Sequence, residues 1–305
     1  MAMSSVCVVN LQGAYLSAVY GIKEILECAV GISPSAFSVT ILDEEGFIAA
    51  RRRFDFVVIP PFRPLVPRRG YHPSPRVLAA LSKAIARGSI PASVCAGAYY
   101  LCATGIADGK TVTTHWNLAS DLARRFPSVR VREERVLVDG ETYLSAGGVT
   151  SFQDLSLHLV RKVAGPETSL AVAREFLINP GDRTQLQFAR VALENPGDGD
   201  VVSRAKAFMR ENLNAPLTLA GIADAVGVTE RTLLRRFAAN GHGTPAAYLL
   251  SARLAHARSL LESSDVPVKR VAAESGYGDL AAFARAFRKY AGLAPGEYRK
   301  SFRIP

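Results

Sequence analysis

A chain that repeats itself at long range has few folds open to it, and the last third of this sequence does so. LAGIADAVGV at 219–228 aligns with VKRVAAESGY at 268–277 at a constant offset of 49 residues. One extra residue, Gly278, moves the offset to 50, so Thr229, Leu233, Arg235 and Phe237 fall on Asp279, Phe283, Arg285 and Phe287. Each copy reads as a helix, a tight turn at Gly227 or Gly276, and a second helix opened by a capping side chain, Thr229 or Asp279. One copy alone fits an ordinary helical hairpin. Two copies with matched apolar positions and surplus positive charge point to paired helix-turn-helix units, whose second helix lies in the DNA major groove.

Charge is distributed accordingly. Lys and Arg number 37 against 27 Asp and Glu, a net +10. Residues 200–305 hold 16 basic and 9 acidic side chains, whereas residues 1–199 hold 21 and 18. A basic third attached to a nearly balanced remainder suggests a nucleic-acid-binding end. Between the two copies Thr244 is a helix cap and Pro245 suits a first helical position. Leu250, Leu254, Ala257 and Leu261 then form an apolar stripe that continues to Ser263. A helix of about 19 residues at ~1.5 Å each is a rod of about 28 Å. Successive major grooves recur about every 34 Å on one face of the duplex, so one chain can bridge a helical turn.

These residues resemble the AraC/XylS family of transcription regulators over about 90 positions, from LTLAGIADAVGVTERTLLRRF through PAAYLLSARLAHARSLL to VAAESGYGDLAAFARAFRKYAGLAPGEYRKSF. The last string is the most specific: a Gly-aromatic turn, Phe-x-x-x-Phe, then Gly-x-x-Pro-x-x-Tyr-Arg. The resemblance implies two helix-turn-helix subdomains on a linker helix, binding double-stranded promoter DNA sequence-specifically. By position it assigns base-facing roles to Arg231, Thr232, Leu234 and Arg235 in the first recognition helix. Leu280, Ala281, Ala282, Ala284 and Arg285 hold the matching places in the second. The first surface can read hydrogen-bonding patterns through arginine. The second, lacking the amide and hydroxyl readers common in relatives, is suited to thymine methyl groups or shape.

The N-terminal part alternates strands and helices. Val6–Val9, Val39–Leu42, Phe56–Ile59 and Ile90–Val94 read as buried strands, and Ser17–Val30 and Val77–Ala86 carry helical spacing. Thr111–Thr113, Val129–Val131, Val136–Val138 and Tyr143–Ser145 continue the strand series before a helix over Val149–Val163. This order predicts an α/β domain, flavodoxin-like, with a mostly parallel sheet covered by helices on both faces, joined to an all-α C-terminal domain. NPGDRTQ and ENPGDGD mark turns and a linker. The expected domains are therefore 1–180 and 201–305, with a linker at 181–200.

Within the first domain SVCAGAYYLCATGIADGKTVTTHW places Cys95 at a strand-to-helix turn, where a helix N-terminus favours a thiolate, and His115 twenty residues on. This string and LSAGGVTSFQDLSLHLV resemble the PfpI-type branch of the class I glutamine-amidotransferase-like superfamily over roughly residues 5–180. The fusion as a whole is similar to the GlxA-type regulators. The resemblance implies a sensor and dimerisation domain, with amino-acid-derived or quaternary-ammonium metabolites as candidate effectors. The same comparison shows two departures from catalytic relatives. QGAYLSAVYG offers Gln12 and Ser17 but no carboxylate, and the turn after the third strand reads IPPF, where Pro61 has no N–H and Phe62 replaces glycine. The elbow pair Cys95 and His115 is thus read as degenerate, and the chain as a non-enzyme. The predicted ligand pocket comprises Ser17, Phe62, Cys95, Ala96, His115, Trp116 and Asp154. Cys95 is open between a small residue tolerated by the turn and a ligand-contacting or redox thiol. Asp154 is open between a pocket carboxylate and a buried hydrogen-bonding group. The opposing reading is a cysteine-dependent hydrolase or deglycase whose basic tail localises it on DNA.

The four cysteines form no CxxC pair and the five histidines no HExxH or Cys/His cluster, so neither a metal nor another cofactor is expected. The uncharged first 22 residues read as a buried strand and a helix rather than a targeting segment, and no membrane span is expected. The chain is expected to be cytoplasmic and homodimeric, with a small-molecule effector. Arg51–Arg53, Arg68, Arg69 and His72 read as solvated loops, and Cys102 as core.

Overall fold

The structure, a computed structural model, describes residues 3–34, 36–63, 70–181, 183–189, 201–239 and 243–303. The chain divides into two compact units, Met1–Gln185 and Leu186–Pro305.

In the first unit, runs of Val and Ile too apolar for a one-faced strand become the centre of a parallel sheet. β1 (Ser4–Asn10), β2 (Phe37–Asp43), β3 (Phe56–Ile59), β4 (Ile90–Val94), β7 (Leu137–Asp139) and β8 (Leu144–Ala146) lie in the order β2-β1-β3-β4-β8-β7. All neighbours are parallel except the β7–β8 edge pair. Val6, Cys7, Val8 and Val9 are wholly buried. β5 (Thr111–Val112) and β6 (Arg130–Val131) pair with each other in a separate two-stranded sheet instead of extending the main one.

The helices are α1 (Leu16–Ile32), α2 (Glu44–Ala49), α3 (Pro75–Ala86), α4 (Ala98–Ala103), α5 (Ala119–Arg125) and α6 (Phe152–Glu175). α1 packs on α6, and α2 on α3. α2 has no apolar periodicity to announce it. Its start is set by Asp43, whose carboxylate accepts from Gly46 N at 2.7 Å. α6 breaks at Gly165, with φ 88°, before Pro166. Ser169 Oγ donates to the Leu157 carbonyl at 2.9 Å. A straight helix would hold these residues about 18 Å apart, so the chain folds back there.

The second unit is wholly helical among the described residues: α7 (Val201–Glu211), α8 (Leu219–Ala225), α9 (Glu230–Ala239), α10 (Pro245–Ser263), α11 (Val268–Glu274), α12 (Leu280–Ala291) and α13 (Pro295–Phe302). The repeat resolves into two cores. Ile222, Ala223, Leu233 and Phe237 anchor the first, and their counterparts Val271, Ala272, Phe283 and Phe287 anchor the second. α10 serves both. Leu249 belongs to the first core, while Leu254, Ala257 and Leu261 belong to the second. Leu250, expected in the buried stripe, is instead 48% exposed, because the buried face of α10 shifts between the cores.

The linker expected from residue 181 is partly packed. Within the first unit Gln185 is 4% exposed, and its amide nitrogen lies 2.8 Å from the Thr114 carbonyl, 2.9 Å from that of Arg135 and 3.0 Å from that of Glu133. Within the second unit Arg258 donates to the carbonyls of Gln187 and Ala189. A Gly/Pro/Asp-rich composition conceals these single polar anchors. Arg68, Arg69 and residues 190–200 lie outside the described residues.

Candidate functional site

The recognition helices α9 and α12 are each held by the cap the repeat implies. Thr229 Oγ1 accepts from Thr232 N at 3.2 Å. The Asp279 carboxylate accepts from Ala281 N at 2.9 Å and Ala282 N at 3.2 Å. With Leu233 and Phe237 turned into the core, helical geometry turns Arg231, Leu234 and Arg235 outward. All three are exposed, Leu234 to 40%. Thr232 is half-buried, and its hydroxyl pairs with that of Thr229 at 3.0 Å. On α12, Leu280 (44% exposed), Ala281 and Arg285 are exposed, while Ala282 and Ala284 are half-buried. Arg231, Arg235 and Arg285 make no side-chain hydrogen bond or ion pair with another described residue. The three guanidiniums therefore keep all their donors for an outside acceptor, two on α9 and one on α12.

In the first unit parallel strands β1, β3 and β4 bring three loops to one end of the sheet, the usual place for a site in an α/β fold. The loop after β1 pairs with that after β3: Tyr15 N donates to the Pro61 carbonyl, and Arg63 N to that of Gly13, both at 3.0 Å. The third loop is the elbow. Cys95 has φ 55°, a left-handed conformation strained for any side chain, between β4 and the 3₁₀ turn Cys95–Gly97. A Cβ on Gly97 would lie 2.4 Å from the Ile59 carbonyl, so only glycine allows this close approach to β3. Thr114 Oγ1 donates to the Cys95 carbonyl at 2.8 Å.

The sequence-predicted pocket residues are placed unevenly. Cys95, Ala96 and Phe62 are buried, at 6%, 0% and 7% exposure. Phe62 packs edge-on against Tyr71 and Tyr100, with centroids at 5.7 and 5.8 Å. His115 and Trp116 are half-buried with rings 5.2 Å apart. His115 Nδ1 accepts from Asn117 N at 3.1 Å, and no hydrogen bond joins that ring to Cys95 among the described residues. Ser17 is exposed on α1. Asp154 is drawn elsewhere, to a cleft of about 570 Å³ whose lining includes none of Cys95, His115 and Phe62. There it is gripped by Arg183, Nη2 at 2.5 Å and Nε at 3.2 Å. Sequence reasoning missed Arg183, and also Tyr71 and Tyr99, whose rings stack at 5.4 Å beside the elbow. The Tyr99–Tyr100 pair after the turn was the available signal.

The electrostatics of the elbow oppose nucleophilic chemistry. Burial pushes the Cys95 thiol up to about 12, despite the opposing effect of the Ala96 N–H. Burial also lowers the His115 pKa. At pH 7 such a thiol stays protonated. Cys7 and Cys102 are likewise buried and raised to about 12. Cys28 is half-buried. A maleimide or disulfide reagent at pH 7 is therefore expected to label Cys28 alone in the native chain, and all four thiols after denaturation. Fast labelling of native Cys95, mapped by mass spectrometry, would contradict this.

Residues 37–162 match the DJ-1/PfpI family, and residues 222–301 match a helix-turn-helix domain. The chain thus joins a region that matches the DJ-1/PfpI family to one that matches a helix-turn-helix domain. It is 30% identical over 212 residues to the HTH-type transcriptional regulator GbdR of Pseudomonas aeruginosa (strain UCBPP-PA14), covering 68% of this chain and 57% of that one. The HTH-type transcriptional regulator GlxA of Rhizobium meliloti (strain 1021) is 28% identical over 209 residues, covering 68% and 64%. The chain thus spans less than two thirds of the length of these relatives. A crystal structure of an AraC family transcriptional regulator from Pseudomonas putida resembles 57% of this chain and 99% of its own, at 21% identity and TM-score 0.48. Among the described residues no helix is long and apolar enough to cross a membrane. No group of three or more His, Cys, Asp or Glu among them is placed to hold a metal ion.

Proposed function

We propose that this chain is a sequence-specific, DNA-binding transcription regulator controlled by a small metabolite bound in its DJ-1/PfpI domain, and that it acts as a homodimer in the cytoplasm. The observation that carries the reading is the duplicated helix-turn-helix, each copy with its own core and both sharing α10. α9 turns the unpaired guanidiniums of Arg231 and Arg235 outward, the geometry that suits bidentate contact with guanine. Arg231, Thr232, Leu234 and Arg235 take the first half-site, and Leu280, Ala281, Ala282 and Arg285 the second. The DJ-1/PfpI domain is not a catalyst in this reading. A protonated thiol, a histidine bonded to its own loop and a proline in place of an N–H donor all weigh against acyl transfer.

The test is selection of genomic fragments by the purified chain at physiological salt, compared with an Arg231→Ala, Arg235→Ala variant. A sharp motif is expected, with half-sites about 10 base pairs apart, lost in the variant. Uniform recovery of all fragments, steeply salt-dependent, would instead describe a non-specific architectural binder and overturn the reading.

A further inference from the structure

The cleft that takes Asp154 away from the elbow has a composition of its own. It is lined within the first unit by residues 134–137 leading into β7, by α6 on both sides of its break, and by Pro180, Gly181, Arg183 and Thr184. Its volume of about 570 Å³ lies within the ordinary range of small-molecule sites. Among the described residues, the two acids that line it, Asp154 and Glu134, are already matched. Asp154 holds Arg183. Glu134 faces Arg132 at 3.1 Å. Asp139, near the rim, takes His158 at 2.8 Å and Lys162 at 2.9 Å.

Two cations that line the cleft are not matched. Arg135 and Arg161 are exposed, and neither guanidinium bonds any other described residue. The Arg135 backbone is nonetheless fixed, since its carbonyl accepts from Thr113 Oγ1 at 2.6 Å and from the buried Gln185 amide. One guanidinium therefore rises from the strand side and one from α6. Leu137 and buried Leu157 line the same cleft and supply apolar surface. Two unmatched positive charges and an apolar lining call for two negative charges joined by methylenes. Inorganic phosphate lacks the apolar spacer.

We propose that this cleft binds a small aliphatic dicarboxylate, one carboxylate on Arg135 and the other on Arg161. The ligand ties the strand side to α6 directly beside Arg183 and Thr184, which the Asp154–Arg183 pair and the Thr184–Arg135 bridge hold in place. In sequence these residues come just before the second unit, which begins at Leu186. The regulatory half of this inference rests on reading the DJ-1/PfpI domain as a sensor.

Calorimetric titration of the full chain with succinate, glutarate and adipate tests the site. Saturable binding of at least one is expected. It should weaken about tenfold or more in each of Arg135→Gln and Arg161→Gln, because a charge-assisted contact is lost. Lys83→Gln, on α3 and outside the cleft, serves as the electrostatic control and should leave binding unchanged. Both arginine side chains are exposed and unpartnered, so the variants are expected to fold, as thermal melts check. No binding across the series, binding indifferent to both arginines, or equal binding of inorganic phosphate would overturn the proposal. The same ligand is then added to the chain on its selected DNA and the affinity followed by anisotropy. Arginine-dependent ligand binding without any change in DNA affinity would uphold the site and sink the sensor reading. A DNA response to another metabolite, with no dicarboxylate bound, would do the reverse.

Discussion

An Arg231→Ala, Arg235→Ala chain is expected to lose its base preference while remaining folded and still attracted to DNA. Both side chains are exposed on α9 and bond no other described residue, so their removal leaves Leu233 and Phe237 in the core untouched. A good bidentate arginine–guanine contact discriminates by about 1–3 kcal/mol. Losing two should narrow the gap between the selected site and a scrambled one by at least about thirtyfold. The residual affinity comes from phosphate neutralisation and stays salt-dependent. α12 behaves differently. Leu280, Ala281 and Ala282 offer no hydrogen-bond donor in their side chains, so little base readout rests on them, and Ala282→Ser should change specificity by less than about twofold. Anisotropy titrations of both variants on both duplexes at one salt concentration decide the matter. Equal losses of specificity from α9 and α12 would sink the idea that the first half-site carries most of the readout.

The difference between what was legible in the sequence and what was not follows the range of the interactions. Periodic features could be read directly. Val6–Val9 and Phe56–Ile59 are buried strands, and the caps Thr229, Thr244 and Asp279 work as their positions imply. Each depends on neighbours within four residues or on burial of a continuous run. Leu250 misled because a helix shared by two cores has no single buried face. Asp154 stayed open, between a pocket carboxylate and a buried hydrogen-bonding group, for another reason. Its partner Arg183 is 29 residues away in a stretch with linker composition, and nothing local marks the pair. Cys95 was visible as an elbow, yet its chemistry is set by burial among distant groups, which raises the thiol pKa instead of lowering it. The cleft lined by Arg135 and Arg161 was invisible for the same reason, since strand, helix and a post-helical segment must meet to make it.

Gly276→Ala and Gly227→Ala, equivalent changes in the aligned repeat, should have very unequal effects. Both glycines have left-handed φ, 76° and 70°, which costs an alanine about 1–2 kcal/mol. Around Gly227 there is open space within 4 Å of a built Cβ, so that cost is the whole effect. At Gly276 the Cβ would lie 2.3 Å from the Leu213 carbonyl and 2.7 Å from Arg253 Nε. Those two groups are bonded to each other at 2.8 Å, and Arg253 also donates to the Ala215 carbonyl at 2.6 Å. The second turn therefore sits on the joint between the loop after α7 and α10, where the two helix-turn-helix halves are fastened together. Overpacking there adds about 1–3 kcal/mol to the backbone strain, for a total of about 2–5 kcal/mol. At about 4–8 °C per kcal/mol for a domain near this size, Gly276→Ala should lower the melting of the helical unit by on the order of 10 °C or more, and Gly227→Ala by roughly half as much or less. Calorimetry on the two full-length variants measures both. Similar melting shifts would mean that the Leu213–Arg253–Gly276 joint is not what holds the halves in register, and the bridging of one DNA turn by a rigid α10 would lose its structural support.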